Sequence, residues 1–293
     1  LYGLLPDGSY VVQPERQGTN SSLFGYFPEG CDTCAFTQDY VNYQPNVERL
    51  NLGSSITFDI NDNARLYSDF KVTQADVLQQ FQPSFTTSTK INVNDNPYLN
   101  EELRQRLLDD GTQSVTMYKF FEDWGNRTAE NRRELFRFVG GVDGTFEFEK
   151  SFLSYDVYYG YGESRNRRIT NSSRIPGNLS AAIDTVRNSS GNVVCRDIDA
   201  GSVNTGGECV PYNPFGKNAT PEALAFISAN VTRQDVITQE YVGASFVTDS
   251  ASLFELPAGP IDLAFGFEYR EETSTTTTDE FTKRGLTANA ASP

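Results

Sequence analysis

The chain has 293 residues and a net charge of −15, because 39 acidic side chains outnumber 24 basic ones. The sequence shows no clusters of Lys and Arg that would bind nucleic-acid phosphates, and the simplest effect of the acidic excess is solubility. The chain contains no histidine, which excludes a Ser-His-Asp triad, a papain-like Cys-His pair and the usual zinc sites.

The first predicted element is a β-hairpin over about 49–74. Its apolar residues alternate with small or polar ones, and Asn61-Asp62-Asn63 supplies a tight turn. A period of two is the signature of a β-strand whose two faces lie in different environments. The apolar residues of the first strand are Leu50, Leu52, Ile56, Phe58 and Ile60.

A long connection follows, over about 75–131. Leucines at helical spacing predict a short helix over Tyr98–Asp110. The segment Ser114–Glu122 is typical of a strand. Because a single extra strand would break the parity of a barrel, we expect this segment to form a hairpin within the connection.

The second hairpin is predicted over about 132–164 and the third over about 235–272. The connection between them, about 163–234, contains a helix start, with Thr220 as N-cap and Pro221 at the first helical position.

The clearest alternation lies in the last predicted strand, which Pro257–Pro260 joins to a strand ending near Leu256. The apolar residues of this strand are Ile261, Leu263, Phe265, Phe267 and Tyr269, and those between them are Asp262, Ala264, Gly266 and Glu268.

The four cysteines form two pairs in predicted loops, Cys31 with Cys34 and Cys195 with Cys209. A four-thiolate zinc site would need a second C-x-x-C, and the first lacks the βαβ context of a redox motif. We therefore expect two disulfides formed in an oxidising compartment. Closing the loop from Cys195 to Cys209 would stabilise it by about 3 kcal/mol.

The fold that unites these elements is all-β. The strands have roughly ten residues or more, the length that a bilayer-crossing strand needs. All short turns lie at one end and all long connections at the other, the asymmetry of outer-membrane barrels. We predict part of an antiparallel up-and-down transmembrane β-barrel, since six strands are fewer than the usual minimum of about eight. In this barrel Ile261, Leu263, Phe265 and Phe267 face lipid, and the residues between them face the lumen.

Four patches of the sequence resemble the barrel portion of TonB-dependent outer-membrane receptors of Gram-negative bacteria. R-F-V-G-G-V-D-G at Arg137–Gly144, followed by S-Y-D-V-Y-Y-G at Ser154–Gly160, is similar to a family hairpin in which Trp is common where Phe152 or Leu153 stands here. The other three patches are C-V-P-Y-N-P-F-G at Cys209–Gly216, the strand Gly259–Glu271, and N-P-Y-L at Asn96–Leu99.

The resemblance implies that residues 1–293 are an internal piece, about six strands, of a barrel of about 22 strands. The chain begins at Leu1 and includes neither the family's plug domain and TonB box nor a terminal strand that ends in an aromatic residue. The long external loops would be about 1–48, 75–131, 163–234 and 271–293.

Membership of this family implies an outer-membrane transporter, with no catalytic, cofactor or metal site, that takes up a bulky, scarce nutrient. Its partners would be outer-membrane lipid, the nutrient, and TonB with ExbB and ExbD through the plug. A siderophore, oligosaccharide or peptide suits Tyr- and Asn-rich loops better than a bare metal ion does. The aromatic candidates for contact with it are Tyr98, Trp124, Tyr212 and Phe215, each of which could instead pack the loops together.

Two other functions remain open. A passive porin would share the barrel but would have no plug. A secreted β-rich protein that binds or processes glycans would also alternate, and N-x-S/T sequons would suit it. The sequons lie at Asn20, Asn126, Asn171, Asn178, Asn188, Asn218 and Asn230.

Overall fold

The computed structural model of the chain describes residues 2–4, 10–12, 40–197 and 207–288. Most of them form antiparallel β-sheet, with few helices, which confirms the all-β class. The strands are β1 (Tyr2–Leu4), β2 (Tyr10–Val12), β3 (Asn46–Asn61), β4 (Ala64–Pro83), β5 (Phe85–Asn92), β6 (Ser114–Phe120), β7 (Asn126–Glu147), β8 (Phe152–Arg174), β9 (Thr185–Arg187), β10 (Val193–Cys195), β11 (Ser228–Asp249) and β12 (Asp262–Thr278). The helices are α1 (Glu101–Asp109), α2 (Pro176–Ile183), α3 (Pro221–Ile227) and α4 (Glu280–Lys283), with a 3-10 turn at Glu122–Trp124. None of the described helices is long and apolar enough to cross a membrane.

Six strands form the main sheet, in the order β12-β11-β8-β7-β4-β3. Neighbours in the sheet follow one another along the chain once the small β5–β6 and β9–β10 hairpins are set aside, so the sheet is a meander of three long hairpins. Within the described residues, β3 and β12 each pair with one neighbour, so both have an open edge.

The strands of the sheet run further than the alternation predicts. β4 continues to Pro83 and β7 begins at Asn126, inside the segment expected to be loop, and pairs such as Gln80 with Thr128 extend the ladder there. In the same way β8 reaches Arg174 and β11 begins at Ser228. In these extensions polar residues predominate, and apolar ones such as Val77 and Leu78 do not alternate with them, so the sequence carries no period-two signal there.

The short connection between β3 and β4 lies where it was predicted. Between β3 and β4 the side chain of Asn61 accepts a hydrogen bond from the Asn63 N–H at 2.9 Å, an Asx turn. The third connection differs, because β11 ends at Asp249 instead of near Leu256. There the Asp249 carboxylate accepts from the Ala251 N–H, which turns the chain away from the ladder before Pro257–Pro260 is reached.

Three small elements of the long connections follow their sequence signals, whereas β5, α2, β9 and β10 were not predicted. Asn100 caps α1 by accepting from the Glu102 and Leu103 N–H groups, so this helix starts after the predicted Tyr98. Thr220 caps α3 as predicted. The strand expected within Ser114–Glu122 is β6, and its pairing with β5 confirms a hairpin inside the connection.

The buried core of the described chain lies in the two long connections, 84–125 and 175–227, and not on the sheet. We call the described parts of these connections the loop cap. Their apolar side chains pack into one cluster, which accounts for the close approach of two segments far apart in sequence. The cluster includes Ile91, Val93, Leu99, Leu103, Leu107, Met117, Phe121, Trp124, Leu179, Ala182, Ile183, Tyr212, Phe215, Phe226 and Ile227.

Candidate functional site

One face of the main sheet is apolar on all six strands. Residues paired across neighbouring strands point to the same face, so the register defines rows of side chains. One such row is Phe58–Leu66–Val142–Val157–Ala244–Phe267. We call the apolar residues of this face the apolar band, made up of Leu50, Leu52, Ile56, Phe58, Leu66, Phe70, Val72, Phe136, Phe138, Val142, Tyr155, Val157, Tyr159, Val242, Phe246, Leu263, Phe265, Phe267 and Tyr269.

Large side chains of the apolar band are exposed. Phe267 is 67% exposed, Leu50 is 65% exposed and Phe265 is 59% exposed, so these side chains do not lie in a core between two sheets. Soluble monomers rarely expose a contiguous apolar patch of more than a few hundred Å², and larger patches mark contacts with a membrane or another protein.

The limit of the apolar band runs obliquely across the sheet. One row holds Glu271 and Glu240 on β12 and β11, but Phe138 and Phe70 on β7 and β4. On β3 the apolar residues continue to Leu50, beyond this row. The strands are therefore tilted relative to the band, as strands of a barrel are tilted relative to a bilayer.

The opposite face, which we call the polar face, carries small, charged and tyrosine side chains. Three tyrosine rings lie against glycines of neighbouring strands, because a Cβ built at the glycine would meet the ring. The distances from that Cβ to the tyrosine Cζ are 2.5 Å for Gly141 and Tyr67, 2.1 Å for Gly160 and Tyr241, and 2.3 Å for Gly243 and Tyr158. Glycine on this face thus makes room for the aromatic rings that cover it.

Charged groups and tyrosine hydroxyls form hydrogen bonds on the polar face. Arg65 makes a two-pronged contact with Asp143, at 2.7 and 3.1 Å, and the Tyr67 hydroxyl donates to Asp156 at 2.8 Å. These four residues line an open depression of about 480 Å³ near the short turns. Sequence reasoning missed this group, because its members come from three strands and meet only through the register.

The four predicted substrate contacts are placed in the loop cap. Trp124, Tyr212 and Phe215 are buried in its core, and Tyr98 packs against the core. Trp124 stacks on Phe121 with ring centroids 4.1 Å apart, and its indole N–H donates to the Tyr212 hydroxyl at 3.2 Å. These side chains hold the two connections together, which is the alternative role weighed for them.

Charged groups inside the loop cap also join its two segments. The Lys119 ammonium donates to the carbonyls of Pro214 and Gly216 at 2.7 and 2.6 Å, and burial lowers the pKa of Lys119. The Tyr212 hydroxyl donates to Asp123 at 3.0 Å, and burial raises the pKa of Tyr212. Each segment thus satisfies polar groups that the other buries.

Arg196 connects both segments on the outside of the cap. Its guanidinium donates to Asp95 at 2.6 and 3.0 Å and to Asp184 at 3.0 and 3.1 Å. The hydrogen bond from Arg196 holds the pKa of Asp95 below its ordinary value of 3.8, against the opposing effect of burial.

The Cys195–Cys209 disulfide is present, with its Cα atoms 6.1 Å apart, which confirms that prediction. Cys31 and Cys34 lie outside the described residues.

The sequon at Asn178 has a structural role. Asn178 is buried, and its side-chain amide donates to the Phe226 carbonyl at 2.7 Å, so it is not available to carry a glycan. In the exposed turn after β9, the Asn188 side chain accepts from the Ser190 and Asn192 N–H groups. Asn20 lies outside the described residues.

No group of three or more metal-ligating side chains within the described ranges is placed to hold a metal ion. Comparison of the chain with known protein families, with curated proteins and with solved structures found no match. What the chain can do is therefore inferred from the two unlike faces of the sheet and from the sequence motifs of the sheet and the loop cap.

Proposed function

We propose that the chain is part of the β-barrel of a TonB-dependent outer-membrane receptor, a transporter that takes up a bulky, scarce nutrient. The observation that carries the proposal is the apolar band, which crosses all six antiparallel strands on one face while the other face is polar. A bilayer is the apolar medium that would cover such a band along its whole width, and the polar face would then line the lumen.

The connections support the same orientation. Those between paired strands at one end are short, and the loop cap is built from the two long ones at the other end. Outer-membrane barrels have short periplasmic turns and longer extracellular loops. The Cys195–Cys209 disulfide suits the oxidising conditions outside the inner membrane.

The motifs that resemble the family lie in the elements that this orientation uses. Arg137–Gly144 is in β7 and Ser154–Gly160 is in β8, both in the sheet, while Cys209–Gly216 is in the loop cap. In the proposal, further strands of the receptor pair with the open edges of β3 and β12. A plug domain then fills the lumen and couples the receptor to TonB, ExbB and ExbD.

We propose that the polar face and the loop cap line the path that the nutrient takes. Long loops on a rigid scaffold often carry binding residues. Tyrosine, asparagine and charged side chains on these walls could stack on and hydrogen-bond a siderophore, an oligosaccharide or a peptide.

Deletion of TonB in the source cell tests the proposal. Uptake of the nutrient should be lost while the receptor stays in the outer membrane, because the energy for transport arrives through TonB. Uptake that persists undiminished would identify a passive porin instead. A protein that stays soluble and monodisperse without detergent would support the secreted β-rich protein and contradict both barrels.

A further inference from the structure

Five basic side chains gather on the polar face, in the half of the sheet that leads to the long connections. They come from β3, β4, β7 and β8, and the register places them together although they are scattered in the sequence. We call them the basic patch: Arg49, Lys71, Arg133, Arg137 and Arg168. The sequence, read as a line, showed no such cluster, and strand pairing creates one in a chain of net charge −15.

The patch brings like charges close together. Lys71 lies directly opposite Arg137 across β4 and β7. Side chains opposite each other in an antiparallel pair have Cβ atoms about 5 Å apart, and like charges at that distance destabilise the sheet. Arg49 and Arg133 share another row, separated by Ala75. Such a concentration of charge is costly unless an anion offsets it.

Carboxylates of the same strand segments lie on the other face. Asp76, Glu134 and Glu163 project from that side, where Glu134 and Glu163 pair with Arg132 and Arg165. None of the five basic-patch side chains makes an ion pair with a carboxylate in the described part of the chain.

Carboxylates on the polar face have their own partners or lie at the margin of the patch. Asp235 on β11 accepts from Arg233 and from Thr276. Glu272 on β12 accepts from Gln239. Asp69 lies one row beyond Lys71, toward the short turns.

Two polar atoms inside the basic patch lack a protein partner. The Thr73 hydroxyl is shielded from solvent between the rows of Lys71 and Arg133, and it makes no hydrogen bond within the described residues. The same is true of the side-chain oxygen of Asn166, which lies opposite Arg133. Shielded polar groups are nearly always hydrogen-bonded in folded proteins, so these two atoms are unusual. The Thr73 hydroxyl can donate to an anion if neighbouring side chains move, whereas the Asn166 oxygen only accepts and needs a donor such as a neighbouring guanidinium.

We propose that the basic patch binds a small solute with several negative charges, carried by carboxylate or phosphate groups. Guanidinium groups suit both acids, because their N–H fork matches two oxygens at once. The proposal rests on the proposed function in one respect, since it identifies this solute with the transported nutrient. The nutrient is then an anion, and the patch selects it on the lumen side of the barrel.

The binding test uses the full-length protein in detergent micelles and the fluorescent anion pyrenetetrasulfonate as the probe, followed by fluorescence anisotropy. The patch variant combines Lys71→Gln, Arg133→Gln and Arg137→Gln. The control combines Arg132→Gln, Arg165→Gln and Arg167→Gln, which removes the same charge from the apolar-band side of the sheet. We expect the patch variant to bind the probe at least about tenfold more weakly, because the variant loses several charge-assisted hydrogen bonds that contribute to the affinity for the probe. The control should bind within about twofold of the natural protein, since screening limits the effect of distant charges.

Equal weakening in the two variants, or no binding to the natural protein, would overturn the proposal. Competition by citrate or by inorganic pyrophosphate then shows which acid group is preferred. If duplex DNA competes better than either, the small-anion assignment is wrong.

Thermal unfolding gives a second readout. Pyrophosphate should raise the unfolding midpoint of the natural protein and not that of the patch variant, because a ligand stabilises the state that binds it. Without pyrophosphate, Arg137→Gln should not lower the midpoint, since it relieves the repulsion from Lys71. A lowered midpoint would indicate a structural role for Arg137 and count against the patch.

These outcomes are separable from those of the proposed function. If the protein binds the probe through the patch but needs no detergent, the proposal of an anion site stands and the proposal of a transporter fails. If the protein depends on detergent but shows no binding specific to the patch, the proposal of a barrel stands and the proposal of an anion site fails.

Discussion

At the residue scale, glycines and tyrosine rings fit tightly against each other on the polar face of the sheet. A methyl group at Gly160 would lie 2.1 Å from Cζ of Tyr241, so Gly160→Ala forces the ring to move. We expect this substitution to reduce the free energy of unfolding by about 1–3 kcal/mol, the usual cost of overpacking. The measurement is denaturant unfolding in detergent followed by circular dichroism.

Gly162→Ala is the matched control, on the same strand and the same face. The nearest atom to a Cβ at Gly162 is the Phe136 carbonyl oxygen at 3.8 Å, an ordinary contact. The change should leave stability unaltered or raise it slightly, because alanine restricts the unfolded chain. Equal losses at both glycines would contradict the role of the ring at Gly160.

The ion pair between Asp95 and Arg196 predicts a response to acid. The hydrogen bond from Arg196 lowers the pKa of Asp95 in the folded protein below 3.8. The stabilising effect is therefore complete above the unfolded pKa and is lost as the pH falls through the folded one. Trp124 is the only tryptophan and lies in the loop-cap core, so its fluorescence reports unfolding of the cap.

Asp95→Asn should therefore lower the stability of the cap at neutral pH and have a smaller effect at a pH below the folded pKa. The difference will be modest, because the pair is partly exposed to solvent. Glu208→Gln is the control, an exposed carboxylate of the loop cap. A loss of stability for Asp95→Asn that does not change with pH would show that the side chain acts by shape and not by charge.

At the scale of elements, an added charge should destabilise the protein far more on one face of β12 than on the other. Phe265 is exposed on the apolar band, and Ala264 lies on the polar face of the same strand. If the band contacts lipid, Phe265→Arg costs about 2–4 kcal/mol near the bilayer midplane, whereas Ala264→Arg costs far less. The yield of folded protein in lipid vesicles measures both. Near-neutral behaviour of Phe265→Arg would mean that water covers the band.

The disulfide of the loop cap carries a separate prediction. Cys195 and Cys209 are 14 residues apart in sequence, and both are buried in the cap core. Replacing both with serine should lower the stability of the cap by about 3 kcal/mol, because the unfolded loop gains freedom. The Trp124 signal should shift to lower denaturant, while the circular dichroism of the main sheet changes little. A coincident shift of both signals would show that cap and sheet unfold together.

The sequence predicts an element well when its signal lies within one segment of the chain, and poorly when the element depends on contacts between distant segments. Alternation along one strand predicted the faces of β12, and side-chain caps predicted α3. The extensions of β4 and β7 were missed, because their few apolar residues, such as Val77 and Leu78, do not alternate with polar ones. Loop packing was one of the two roles considered for Trp124 and Tyr212, but their contact with each other was not predicted. The gathering of Arg49 with Arg133 was missed, since it depends on pairing between distant segments.

At the scale of the whole molecule, the apolar side chains fall into two sets with different surroundings. Leu179 is fully buried in the loop cap, while Leu52 is 61% exposed on the sheet. Leu179→Ala should cost about 2–5 kcal/mol in any detergent or lipid, because it leaves a cavity in a packed core. If lipid covers the apolar band, the effect of Leu52→Ala should depend on the thickness and composition of that lipid. Unfolding midpoints in two detergents of different chain length measure both, and equal dependence would argue against two separate surroundings.

The oblique limit of the apolar band has a consequence for how the strands find their partners. A hairpin that pairs two residues out of register keeps each side chain on its proper face, because the period of a strand is two. It nevertheless slides its apolar segment by about 7 Å along its neighbours. If the band spans a bilayer of fixed thickness, as we propose, that slip on β12 would draw Glu271 toward hydrocarbon or push Leu263 toward water. The lipid would then disfavour mispaired hairpins that the alternation of apolar and polar residues alone would tolerate.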